Sequence, residues 1–130
     1  MIQELKIKNF LSFKDEVVLS FEATRDTNLE DNYVVEVAPG VRLLRFAMVM
    51  GANGSGKSNL LKALEFLRRW WYERPEDDDE PTGAVPFMLD SDTMNEPTEL
   101  ELRFWIDKTK YCYFVKLDSE RVYTERLNMY

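Results

Sequence analysis

Gly51-Ala52-Asn53-Gly54-Ser55-Gly56-Lys57-Ser58 is the stretch that decides how the rest of the chain is read. It fits the pattern GxxxxGK[ST] at every fixed position, a spacing in which each residue type has a physical task. Glycines at 51, 54 and 56 let the backbone curl through positive φ and approach phosphate oxygens with no Cβ in the way. Backbone N–H groups and the positive end of a following helix then converge on an anion. Lys57 is expected to reach the β- and γ-phosphates of a nucleotide, and the Ser58 hydroxyl to bind Mg²⁺. The competing reading is a glycine-rich turn that merely precedes a helix. The candidate binding residues are Gly51, Ala52, Asn53, Gly54, Ser55, Gly56, Lys57, Ser58 and Asn59, with Ser58 as the metal ligand.

The flanks place this loop where its mechanism needs it. Upstream, Arg42 to Met50 becomes continuously apolar towards its end, which predicts a strand buried on both faces in a mixed or parallel sheet. Downstream, Leu60, Leu64, Leu67 and Trp71 recur at helical intervals. Arg68 and Arg69 suit the C-terminal end of a helix dipole and Pro75 closes the segment, so a helix of about four turns is expected. Nearer the N-terminus, Glu4 to Lys8 alternates and Val17, Leu19 and Phe21 share a face, which reads as two half-buried strands. Tyr33 to Val37 reads as a short strand before the turn Pro39-Gly40.

Residues from about 74 to 98 hold Pro81, Gly83, Pro86 and Pro97 and read as one irregular connection. After it, Leu100, Leu102, Phe104 and Ile106 share a face, as do Tyr111, Tyr113, Val115 and Leu117, and Arg121 to Leu127 begins a third strand. An antiparallel meander is the expected arrangement.

Composition narrows the chemistry. The 130 residues carry no histidine and one cysteine, Cys112, so a Cys/His zinc site, a histidine-based catalytic pair and an internal disulfide are excluded. Apolar runs fall short of a membrane span, and the first residues lack the pattern of a secretory signal. The expected location is cytoplasmic. Net charge is −7; residues 1–75 stand at +1 and residues 76–130 at −8, with Glu76-Asp77-Asp78-Asp79-Glu80 supplying most of the acidity as a solvated loop. Direct nucleic-acid binding by this chain is therefore not expected. Trp70, Trp71 and Tyr72 could offer an aromatic platform to a base, but packing on a sheet accounts for them more simply, and Phe10 and Phe13 read as core anchors, with adenine contact as the alternative.

Gly-Ala-Asn-Gly-Ser-Gly-Lys-Ser-Asn-Leu-Leu, preceded by a short strand ending in Asn9-Phe10-Leu11-Ser12-Phe13, resembles the start of ABC-type ATPases of the SMC, RecF and OLD group. Pro86-Phe87-Met88-Leu89-Asp90 and Pro97 to Phe104 resemble the AAA-family, OLD-like bacterial ATPases associated with phage defence. The resemblance implies an α/β fold: a P-loop NTPase first lobe of an ABC-type ATPase head, with an antiparallel sheet beside the opening strand and helix of the nucleotide core. It also implies ATP and Mg²⁺ as cofactors and a nucleotide sandwiched between two heads of a homodimer. Related chains run to several hundred residues, so residues 1–130 are expected to be a single ATP-binding lobe at the N-terminus of a longer ATPase, lacking the C-terminal lobe.

Departures from that family are equally specific. Leu11 stands where related heads often carry Arg or Lys. Gln3 is the only glutamine, so no Q-loop follows the glycine loop, and neither a switch histidine nor a Ser-Gly-Gly signature occurs. Asp90 and Asp118 are the candidates for a Walker B aspartate. Pro86 interrupts the first strand, Lys116 sits in the second, and neither aspartate precedes Glu, so both read as loop or turn acids. No residue is assigned a catalytic role. The expected function is Mg·ATP binding as part of a head that hydrolyses ATP once completed and dimerised, acting on a nuclease or other effector. The alternative is a non-hydrolysing nucleotide-sensing or interaction module. A kinase or GTPase is disfavoured because no Asn-Lys-x-Asp motif is present.

Overall fold

Alternation in β1 (Ile2–Lys8) turns Gln3, Leu5 and Ile7 to one face and Glu4, Lys6 and Lys8 to the other, and the sheet is built on that division. The computed structural model describes residues 1–73 and 80–130. β1 pairs on one side with β2 (Val17–Ser20) and on the other with β5 (Thr98–Ile106), both antiparallel. β6 (Thr109–Leu117) and β7 (Val122–Met129) continue the meander, giving the order β2-β1-β5-β6-β7. The two-residue link between β5 and β6 carries Asp107 at φ +53°, a left-handed conformation that a short polar residue tolerates. β3 (Val34–Ala38) and β4 (Val41–Leu44) form a separate hairpin, preceded by the short helix α1 (Glu30–Tyr33) and closed by Gly40 at φ +77°.

One face of the sheet is apolar and is covered by α2 (Lys57–Tyr72). Leu5, Ile7, Leu100, Leu102, Tyr113, Val115 and Leu117 meet Ala63 and Leu67 of the helix, with Leu60, Leu64, Phe66 and Trp70 along its margins. The opposite face is a charged surface in which Arg103 pairs with Glu4 and Glu101, Lys6 with Glu101, and Lys116 with Glu99. Such one-sided burial is what an antiparallel sheet permits and a parallel one does not. The C-terminal half of α2 is fixed by aromatic contacts. Trp70 stacks on Phe66, Trp71 lies edge-on to Tyr113 at 5.0 Å, and the Trp70 indole N–H donates to Glu125 at 3.2 Å. Burial and the hydrogen bond that Tyr113 donates to Glu125 raise the Tyr113 phenol well above its ordinary range.

The paired strands of the N-terminal third, the meander and the helix stand as the sequence predicts. The strand predicted over Arg42 to Met50 does not. β4 ends at Leu44 and pairs antiparallel with β3, and residues 45–50 have no strand structure. Phe46, Met48 and Met50 are 59%, 68% and 82% exposed. A run buried on both faces needs a place within a sheet and a layer packed over each face, and among the described residues 45–50 pairs with no strand and its apolar side chains stay exposed. The chain is thus mixed α/β with an antiparallel sheet, and among the described residues no strand leads into the glycine loop. The α2 helix ends at Tyr72, so Pro75 and the acidic run from Glu76 to Asp79 lie outside the described residues. No helix among the described residues is long and apolar enough to cross a membrane.

Candidate functional site

The glycine loop enters α2 directly. Gly54 and Gly56 take φ +81° and +89°, so two of the three glycines have the conformation that made them necessary. Gly56 is the N-cap of α2, and among the described residues no side chain caps that end and no acid occupies its first turn. The positive end of a helix of 16 residues therefore has no carboxylate in its own first turn. Residues 51–55 are exposed, as is Ser58.

Lys57, the first residue of α2, folds back over the loop. Its ammonium donates to the Gly51 and Ala52 carbonyls at 2.6 Å each and approaches Ser55 Oγ at 3.4 Å. The backbone Ser55 N–H donates to the Ala52 carbonyl at 3.2 Å, closing the loop from inside. A cation held at the centre of a ring of backbone groups can neutralise an oxyanion that enters the ring.

Asn59 follows the loop in sequence, and its side chain turns towards the N-terminal turn. Its Nδ2 donates to Ser12 Oγ at 2.7 Å, in the turn that leaves β1. A Cβ at Gly56 would meet Ser12 Oγ at 2.8 Å and the Phe13 ring at 3.4 Å, so a side chain there would displace the Ser12 hydroxyl as well as strain φ. Phe10 is buried and touches Phe66, whereas Phe13 borders the loop.

Asn9 is the residue that sequence reasoning missed. It is 1% exposed, and its Nδ2 donates to the Thr93 and Glu96 carbonyls at 2.8 and 2.7 Å while its Oδ1 accepts from the Phe87 N–H at 2.9 Å. The Thr98 hydroxyl donates to its carbonyl at 2.6 Å. One buried amide thus gathers the connection before β5 around the end of β1. The sequence offers no signal for this role; in the structure Asn9 holds φ +50°, a region that asparagine tolerates where most residues do not.

Asp90 and Asp118 both form turns. Asp90 is paired with Lys14 and accepts the Asp92 N–H at 2.9 Å, and these bonds hold its carboxyl below the ordinary carboxylate value. Asp118 accepts from the Tyr123 hydroxyl at 2.6 Å and from the Glu120 and Arg121 N–H groups, which lower it in the same way. Among the described residues no three His, Cys, Asp or Glu side chains gather into a metal-holding group. A cleft of about 240 Å³ between Gln3, Glu22, Thr24, Arg25 and Arg42 includes no residue of the glycine loop.

Residues 46–129 match a protein family described as "AAA domain, putative AbiEii toxin, Type IV TA system", which covers the glycine loop, α2 and the whole meander from β5 to β7. The chain belongs to this AAA-domain family. Family membership places the glycine loop in an ATPase-like domain. A comparison with curated proteins finds no match. β1, β2 and the turn between them lie ahead of the matched stretch, yet Ser12 and Phe13 of that turn are the side chains that a Cβ at Gly56 would meet first.

Proposed function

We propose that this chain is the ATP-binding lobe of an ABC-type head of the SMC, RecF and OLD kind. The observation that carries the reading is the start of α2: an uncapped, acid-free N-terminus reached through two positive-φ glycines, with Lys57 folded over the loop. Backbone N–H groups of residues 51–58 would hold the phosphates of ATP, Lys57 would neutralise the β- and γ-phosphates, and Ser58 would hold Mg²⁺. The exposed apolar run from Phe46 to Met50 fits completion by strands of a C-terminal lobe, and two completed heads would enclose the nucleotide. The toxin wording of the family description is in keeping with a nuclease or other effector governed by such a head, and with a role in phage defence.

A second reading is a nucleotide-sensing module that does not hydrolyse ATP. It draws on Asp90 and Asp118, both spent on turns. Calorimetric titration of the chain with Mg·ATP tests the shared premise. Binding is expected to be weak and to fall at least tenfold in Lys57→Ala; equal binding by both proteins would show that the loop is not the site.

A further inference from the structure

The turn from Asn9 to Lys14 touches two regions at once. On one flank, Asn59 Nδ2 bonds Ser12 Oγ at 2.7 Å, and Ser12 and Phe13 sit so close to Gly56 that a Cβ there would force the Ser12 hydroxyl to shift. On the other flank, the Leu11 N–H donates to the Val85 carbonyl at 2.9 Å, Lys14 pairs with Asp90, and the Asn9 amide binds Phe87, Thr93 and Glu96. The turn is stiff in itself. Phe10 and Phe13 exchange backbone hydrogen bonds of 2.9 Å, and Asn9 and Leu11 both hold positive φ, so the turn has few ways to deform.

Gly56 and Asn59 stand where the glycine loop passes into α2. Gly56 carries the left-handed bend, and the Asn59 N–H donates to the Gly56 carbonyl at 2.9 Å. Both are in contact with the turn. We propose that Ser12 and Asn59 are positioning residues that tie the anion-binding shape of the glycine loop to the segment 84–97, so that nucleotide held at one is felt at the other. This rests on the reading of residues 51–58 as a nucleotide-phosphate site. Linkage makes the effect reciprocal: whatever orders residues 84–97 raises nucleotide affinity by the same factor by which nucleotide favours that order.

The experiment combines Mg·ATP titration, amide hydrogen exchange and thermal melting on the wild-type chain, Ser12→Ala, Asn59→Ala and the double variant. Each single change is expected to weaken Mg·ATP binding about three- to tenfold, the effect of one net hydrogen bond, and the double change no more than the worse single one. Melting without nucleotide should shift by no more than about 2 °C, because the bond is at the surface. Mg·ATP should slow exchange at Phe87 and Glu96 in the wild type and not in the double variant at saturating nucleotide. Additive losses, a melting shift that accounts for the affinity loss, or protection confined to residues 51–60 would each overturn the coupling while leaving the phosphate site standing. Absence of Lys57-dependent binding in the wild type would remove the phosphate site and the coupling together.

Discussion

The Lys57 ammonium bridges the carbonyls of Gly51 and Ala52, at 2.6 Å from each, so the residue expected to meet phosphate also shapes the loop that would hold it. A compact ammonium fits between two carbonyls at this distance; a planar guanidinium, with its donors spread in a fork, does not. Lys57→Arg should therefore behave like Lys57→Ala and not like the wild type in Mg·ATP titration. Wild-type affinity in Lys57→Arg would mean that only the charge counts.

Gly54 and Gly56 allow the two contributions to glycine's necessity to be separated. Both hold positive φ, which costs a side chain roughly 1–2 kcal/mol, but open space surrounds Gly54 whereas Ser12 Oγ lies 2.8 Å from a Cβ at Gly56. Gly54→Ala should lower unfolding stability by about 1 kcal/mol and Gly56→Ala by clearly more. Equal urea midpoints for the two variants would show that the Ser12 contact yields freely.

The buried amide of Asn9 should matter more than any single core methyl group. Asn9→Ala leaves the Phe87 N–H and the Thr93 and Glu96 carbonyls without their partner, each costing about 1–3 kcal/mol, and places alanine at a positive φ. A loss of about 3 kcal/mol or more is expected, with limited proteolysis falling first within residues 84–97. Uniform proteolysis across the chain would argue against a local role.

These residues show what was legible in the sequence. Period-two alternation named β1, β2, β5 and β6 because one-sided burial writes itself directly into residue order, whereas β7, exposed along its whole length, was legible only as a further strand of the meander. The helix was legible from Leu60, Leu64 and Leu67, and the loop from its glycine and lysine spacing. The run from Phe46 to Met50 misled because its apolarity records a need for neighbours, which the described residues do not supply. Asn9 and the Ser12–Asn59 bond were hidden for another reason. Both join positions far apart in the chain, and a polar residue gives no sign in sequence of whether its partner is water or a distant carbonyl.

Acid should loosen the two aspartate turns. Asp90, held down first by Lys14 and then by the Asp92 N–H, and Asp118, held down first by the Tyr123 hydroxyl, both titrate below the ordinary 3.8 in the folded chain. Their contribution is complete above that value and is lost as pH falls from it through the lower folded values, because the unfolded chain takes up the protons first. Urea midpoints should therefore fall between about pH 5 and pH 2, and fall less steeply in an Asp90→Asn, Asp118→Asn double variant. Parallel curves for the two proteins would assign the acid sensitivity to other carboxylates.

The chain by itself should not turn over ATP at an enzymatic rate. Hydrolysis needs a second metal ligand, a positioned water and charge stabilisation facing the loop, in addition to a phosphate cradle. On the proposed reading Ser58 and Lys57 would supply one ligand and one charge. Asp90 is occupied by Lys14 and the Asp92 N–H, and Asp118 by Tyr123, Glu120 and Arg121, so recruiting either would first require dismantling a turn. No glutamine follows the loop and no histidine exists in the chain to position a water. Each missing group is commonly worth several tenfold factors in rate. Phosphate release by the purified chain should match that of Lys57→Ala at every Mg·ATP concentration; a Lys57-dependent rate on the order of 1 s⁻¹ would show that one of the two turns opens and delivers its carboxylate to the metal.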